Sequence, residues 1–549
     1  MNHRLHSHDM KPTGRLAVLS SLLVLSAAPL HAEFGVVTDA KAYTVDSGAG
    51  LVFRVNRSTG NLESIKLNGT ELNGKKASGI ASGLGPQGTT TAVWSDVNTV
   101  KITVATTAEN QVAANFTQYY IVRRNENTIY MATHAVNEPR VGELRWITRL
   151  QGSLFPNTPE DSTTRGTTKG VESKDVFGTE DGITRSKYYG NQRAKDLSIR
   201  GVSGSGRAAF MVYGNRESSS GGPFYRDIQN QSGSDSEVYN YMNSGHAQTE
   251  ERRLGVLFGP YALMFTTGAT PPVPDMGFIA NLGLTGYVPV SGRGKVVVRG
   301  IGGRDASMPY TVAFANATAQ YWTDASRTDG SATCANMKPG SYTMTVYKNE
   351  LAVYTAPVSV AAGQATTLPP ITITTDPAAN PALWRIGVWD GTPLEFRNGP
   401  NLTRMHPSDK RQAPWSGGVF TVGKSKVSDF PAVTWRGVNE PVTVSFTLTP
   451  AQVKDCTIRI GTTTSFSGGR PAITLNSTWS APMQKPVGQP DSRSLTIGTY
   501  RTNYGFFSFR VPAKALVAGE NKLEIKITSG NGGSGFLSPS FAIDCVDFY

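Results

Sequence analysis

Strict period-two patterning constrains this chain more than any other feature. In Val442–Leu448 the apolar Val442, Val444, Phe446 and Leu448 alternate with Thr443, Ser445 and Thr447. In 522–527 Leu523, Ile525 and Ile527 alternate with Lys522, Glu524 and Lys526. Such a repeat turns one face to a core and the other to water, as an antiparallel sheet requires. Shorter β-type runs recur at 34–38, 50–55, 100–104, 119–122 and 128–133, separated by Gly, Asn and Ser. With 58 Gly and 32 Pro in 549 residues, turns are frequent enough to cut the chain into short strands rather than long helices. The expected class is all-β.

Residues 1–32 read as an export leader. Arg4, Lys11 and Arg15 precede an apolar run at 16–25, and Ser26-Ala27-Ala28 lead to a cut after Ala32. The run is too short to span a bilayer, and no other stretch qualifies. A secreted, extracellular protein without a membrane anchor is expected, with the periplasm as the alternative and an uncleaved anchor as a minor one. The formal charge of +12 suits nucleic acid, an anionic surface or an acidic polysaccharide, and does not choose among them. Cys334, Cys456 and Cys545 are too scattered for a disulfide scaffold or a Cys-x-x-Cys zinc module. Cys456 and Cys545 fall in strand-like runs where a pairing is open. Outside the leader the histidines are His134, His246 and His406, so a three-His zinc site would need all of them to converge.

Three blocks follow the leader. Residues 33–285 read as a large antiparallel sandwich whose polar middle, 151–250, lacks alternating runs and is expected to form ordered functional loops. Residues 286–375 have the size and rhythm of a small fibronectin type III-like sandwich. Asp376-Pro377-Ala378-Ala379-Asn380-Pro381 reads as a linker (376–381), and 382–549 as a jelly roll of carbohydrate-binding type.

Gly292-Arg293-Gly294-Lys295 and Gly300-Ile301-Gly302-Gly303 lack the Walker spacing and precede no helix, so turns explain them better than phosphate binding. No Gly-x-Ser-x-Gly elbow supports serine hydrolysis. Thr184-Arg185-Ser186-Lys187-Tyr188-Tyr189-Gly190-Asn191-Gln192-Arg193 concentrates cations and rings, the combination an anionic sugar needs; a solvated basic loop accounts for it as well. Tyr239-Asn240-Tyr241-Met242-Asn243-Ser244-Gly245-His246 places a histidine on a loop, either as an acid–base group or as a structural side chain. Arg145 lies in a partly apolar run, facing a cleft or paired with Glu143.

Segments along most of the chain resemble the fungal-type rhamnogalacturonan lyases of polysaccharide lyase family 4. They are Gly142-Glu143-Leu144-Arg145, Thr184-Arg185-Ser186-Lys187, Glu217-Ser218-Ser219-Ser220-Gly221-Gly222-Pro223-Phe224, Tyr241-Met242-Asn243-Ser244-Gly245-His246 and Ser291-Gly292-Arg293-Gly294-Lys295. In the third block they are Trp389-Asp390-Gly391, Arg404-Met405-His406-Pro407-Ser408-Asp409 and Phe536-Leu537-Ser538-Pro539. The resemblance implies a β-super-sandwich, a fibronectin-like domain and a carbohydrate-binding-like jelly roll. It implies rhamnogalacturonan I as the substrate and β-elimination at galacturonate as the reaction. The family's catalytic lysine and histidine fall on Lys187 and His246, its substrate-binding arginine on Arg145, and two active-site tyrosines on Tyr239 and Tyr241. Tyr188-Tyr189-Gly190-Asn191 and Asn240 depart from the family's usual residues, which bears on subsite preference rather than on chemistry.

The implied chemistry is coherent. A C5 proton becomes removable when the adjacent carboxylate is neutralised, a task for Arg145. A lysine serves as base when nearby cations favour its neutral form, and Arg185 is the sequence neighbour. No catalytic cofactor is required, and a structural calcium in the third block is left open. A monomer acting on pectin, with no nucleic-acid or membrane partner, is expected. A non-catalytic pectin-binding protein and a glycoside hydrolase on the same polymer are the alternatives.

Overall fold

Alternation in the sequence becomes sheet throughout the molecule. The computed structural model describes residues 33–80, 84, 89–107, 115–137 and 143–549. The leader assigned to 1–32, and Gly142, lie outside the described residues. Among those described, every helical segment is a short 3-10 turn, the longest being the five residues of Gly277–Asn281. The all-β class is the observed one.

The first block holds a five-stranded antiparallel meander running in chain order from Gly35–Thr38 to Thr70–Glu71. Beside it lies a seven-stranded sheet with Val256–Thr266 between Arg207–Val212 and Thr128–Ala135. A four-stranded sheet is centred on Leu144–Gln151 and Asp235–Asn243. Phe53, Val104, Trp146, Val238 and Phe258 from these sheets meet in one core, each buried side chain contributing roughly 1.5–3 kcal/mol. The stretch 151–250, expected as loops, is partly sheet. Lys169–Glu172, Val176–Gly178 and Thr184–Ser186 form a small three-stranded sheet, and Ile199–Gly204 joins the seven-stranded one. Strands of three or four residues, or strands with Gly and Ser inside them, leave too faint a repeat to be read.

In the second block a four-stranded sheet faces a three-stranded one whose Gly294–Val298 and Ala365–Leu368 run parallel. The third block is two five-stranded sheets closed on a core that includes Trp435, Val444, Ile525 and Phe541. Lys522 and Lys526 face outward as their alternation predicts. In Val442–Leu448 the polar face is covered in part: Thr443 and Ser445 are buried, Ser445 donating to Glu520 at 2.9 Å, while Thr447 is exposed. All three cysteines are buried and free. Cys456 lies opposite Val511 and Cys545 opposite Gly461, so their strands hold them apart and the pairing left open by the sequence does not form.

The blocks are joined by charge as well as by chain. Glu350 of the second block has a fully buried side chain. It accepts from Arg193 of the first block at 3.1 Å and from Tyr500 of the third at 3.1 Å, with Arg501 3.6 Å away. The 376–381 segment is anchored on both sides: Asp376 pairs with Lys348, and the Pro377 carbonyl accepts from Arg459 at 3.0 Å.

Candidate active site

The floor of the site follows from strand periodicity. Leu144–Gln151 and Asp235–Asn243 pair antiparallel, with Arg145 opposite Tyr241 and Ile147 opposite Tyr239. Residues two apart share a face, so these four point the same way while Trp146 and Val238 enter the core behind them. Tyr239 and Tyr241 stack at 5.9 Å, and the Arg145 guanidinium lies over the Tyr241 ring at 5.5 Å. Tyr188, Tyr189, Ile228 and Ile497 complete this apolar floor, the last of them from the third block.

Lys187 directly follows Thr184–Ser186. Asn191 Nδ2 donates to its carbonyl at 2.9 Å, and its ammonium lies 3.0 Å from Asp175 Oδ1. Asp175 reaches it from a tight turn in which Ser173 and Lys174 are both left-handed, closed by Asp175 N donating to the Glu172 carbonyl. Arg185 does not join the Lys187–Asp175 pair and pairs instead with Glu160 at 3.0 Å. The cation beside the lysine's carboxylate is instead Arg493, 3.0 Å from Asp175 Oδ2.

His246 sits on the loop after Asp235–Asn243, its backbone N–H held by Ser244 Oγ at 2.9 Å. Its Nδ1 is 3.1 Å from Asp227 Oδ1, and its Nε2 is 3.2 Å from Glu143 Oε1 and 3.3 Å from the Tyr188 hydroxyl. Asp227 is itself fixed by Tyr225 Oη and Ile228 N, each donating at 2.7 Å. A proton on Nδ1 is therefore held toward Asp227, and Nε2 is the atom left for proton exchange. Glu143 also pairs with Arg145 and accepts from the Tyr241 hydroxyl at 3.5 Å. Burial, reinforced by Asp175, pushes the Tyr188 phenol up to about 12. Burial lifts Tyr239 and Tyr241 well above the usual phenol range. These three remain hydroxyl donors near neutrality.

All five residues singled out in the sequence thus fall in one cluster of contacting side chains linked through Tyr188 and Tyr241, and Arg145 both joins it and pairs with Glu143. Sequence reasoning missed Asp175, Asp227 and Arg493. Two third-block loops brace the lysine loop. Thr184 donates from N and Oγ1 to Asp409 Oδ2 at 2.6 and 2.7 Å, and Gly190 N donates to the Thr403 carbonyl at 2.9 Å. His406 is structural. Its Nδ1 accepts from Ser408 N at 3.1 Å, so its Nε2 carries the proton toward Glu172 Oε2, also at 3.1 Å. The histidines do not gather at one point: His134 lies on Thr128–Ala135, and no set of three or more His, Cys, Asp or Glu side chains among the described residues is arranged to hold a metal ion.

Comparison with known proteins places this geometry. Residues 34–286 match the family model described as rhamnogalacturonan lyase B, N-terminal. Residues 292–368 match polysaccharide lyase family 4, domain II, and residues 382–548 match domain III of the same family. The chain is 43% identical over 527 residues to "Probable rhamnogalacturonate lyase A" of Aspergillus clavatus, spanning 94% of this chain and 96% of that one. It is 43% identical over 543 residues to "Rhamnogalacturonate lyase A" of Aspergillus aculeatus, spanning 97% and 99%.

Proposed function

The chain belongs to polysaccharide lyase family 4 and is a rhamnogalacturonan lyase; from that premise we propose how its residues carry out the reaction. The observation that supports the reading is the Lys187–Tyr188–His246 arrangement, in which a lysine and a histidine flank one tyrosine ring and Arg145 lies against the neighbouring Tyr241. The bond broken is rhamnose-(1→4)-galacturonate in the rhamnogalacturonan I backbone of pectin. Arg145 meets the galacturonate carboxylate and stabilises the enolate-like charge that builds there. Lys187 Nζ takes the C5 proton, the electron pair forms the C4–C5 double bond, and the C4–O bond breaks. His246 delivers a proton from Nε2 to the departing oxygen, its Nδ1–H held by Asp227. An unsaturated galacturonate remains at the non-reducing end of one product.

The test is near-ultraviolet absorbance on rhamnogalacturonan I, with homogalacturonan as control. Lys187→Ala and His246→Ala are each expected to lose at least about a hundredfold in turnover with unchanged melting temperature. Near-wild-type turnover of either variant removes the role given to that residue.

Side-chain cations do the neutralising in this scheme, so chelator is expected to leave turnover largely intact. Complete loss restored by calcium would overturn that part. The protein acts as an extracellular monomer released by its leader; no helix among the described residues is long and apolar enough to cross a membrane.

A further inference from the structure

Lys187 presents a conflict. A lysine works as a base only in its neutral form, yet a carboxylate at ion-pair distance favours the ammonium. Asp175 is that carboxylate, 3.0 Å away. Its other oxygen, however, is held at 3.0 Å by Arg493, which arrives from the third block. Arg493 is itself fixed: Nη1 is 2.5 Å from Glu172 Oε1, and the guanidinium lies 5.7 Å over the Tyr188 ring. Thr496 Oγ1 donates to the same Glu172 oxygen at 2.9 Å.

We propose that Arg493 is a positioning residue for the base: by sharing Asp175, it weakens the ion pair that would otherwise keep Lys187 protonated. The inference rests on Lys187 being the base. The other charged groups around the pocket are already engaged. Glu172 is taken by His406, Thr496 and Arg493. Glu143 pairs with Arg145 and His246, Asp227 holds His246, and Arg185 turns away to Glu160. Tyr188 borders the lysine as a neutral ring. Asp175 is thus the carboxylate in contact with the ammonium, and Arg493 the cation set against it. The lyase site is then incomplete without the third block, whose part in catalysis is electrostatic as well as mechanical.

The readout is the ratio of Arg493→Gln to wild-type kcat/KM across pH. If the variant's lysine holds its proton more tightly, the ratio is about 0.1 at the acid end, for a shift of about one pH unit. It climbs toward 1 at alkaline pH, where both enzymes have a neutral lysine. Arg493→Lys, which keeps the cation, is expected to restore most of the acid-end activity. Thr496→Val loosens the same junction without touching Asp175, and its ratio is expected to stay flat with pH. A uniform deficit of Arg493→Gln at every pH would mean a structural role. A pH-independent rise in KM alone would mean a substrate contact. Either result overturns the proposal. Should Arg493→Gln melt below the assay temperature, Asp175→Asn reads the same coupling with the opposite slope, its ratio to wild type highest at the acid end; a flat ratio there also overturns it. Lys187→Ala in the same assay separates the two levels. An active Lys187→Ala removes the base assignment and this inference with it, whereas an inactive one beside a flat Arg493→Gln ratio removes the inference alone.

Discussion

Gly498 shows how little room surrounds the lysine loop. Its backbone is left-handed at φ 72, and a Cβ there would lie 2.4 Å from the Tyr188 carbonyl oxygen. Gly498→Ala is therefore expected to push the loop aside, costing about 1–3 kcal/mol in strain and about tenfold in turnover through misplacement of the base. Thermal melting and initial rates on rhamnogalacturonan I check both; wild-type rates would show that the loop tolerates the shift. Residues of this kind mark the boundary of what the sequence discloses. Lys187, His246, Arg145, Tyr239 and Tyr241 could be named because they lie in segments that resemble a family. Asp175 could not, because nothing in Ser173-Lys174 announces a turn with two left-handed residues, a geometry that ordinarily selects Asn-Gly or Gly-Gly. Asp227 was hidden for a different reason: it lies 19 positions from His246 on a segment without periodicity, and only the folded chain brings it to the ring nitrogen.

Among elements, the alternating strands at 442–448 and 522–527 were legible, whereas Asp235–Asn243, buried along most of its length, lay in a stretch read as loops. Leu144–Gln151 and Asp235–Asn243 carry the site because their register sets Arg145 and the two tyrosines on one face. The Tyr-x-Tyr spacing could be read from sequence as soon as a strand was assumed. The three short strands from Lys169–Glu172 to Thr184–Ser186 could not be read, although they aim the base. Each has three or four residues, no more than two repeats of the strand period, and they and the loop that follows them are held from outside by Asp409, Thr403 and Arg493. Whether Arg185, the sequence neighbour, faces the lysine was open in the sequence, and its guanidinium pairs with Glu160 instead. Lys187 lies just past the last residue of Thr184–Ser186, so the alternation that would set residues 185 and 187 on one face no longer directs its side chain.

For the molecule as a whole, buried charge ties the blocks together. Glu217 of the first block is 3% exposed at its side chain, and Arg293 and Lys338 of the second block lie 2.6 and 3.0 Å from it. Burial alone would raise its carboxyl, but the hydrogen bonds from Arg293 and Tyr321 and the charge of Lys338 prevail and hold it down at about 2. A depressed carboxyl contributes stability that is complete above its unfolded value, about 4.3, and is lost as pH falls toward about 2. The expected contribution at neutral pH is about 3 kcal/mol. Glu217→Gln should therefore melt below wild type at pH 7, with the gap narrowing as pH falls from about 5 to about 2. A gap independent of pH would show that the carboxylate charge is not what joins the two blocks.

The bracing of the lysine loop by residues 403–411 and 493–498 has a consequence for the order in which the molecule comes to life. The loops belong to a block whose Ser540–Phe548 strand pairs with Trp384–Gly387, Val433–Trp435 and Cys456–Phe466. Residues 33–285 precede that block in the chain, so the loop that carries Lys187 gains this bracing only after the later sheet has formed. A chain cut before residue 403 would keep Lys187 and His246 yet lose these braces on the lysine loop, so proteolytic trimming of the third block is a way to loosen the site without touching it.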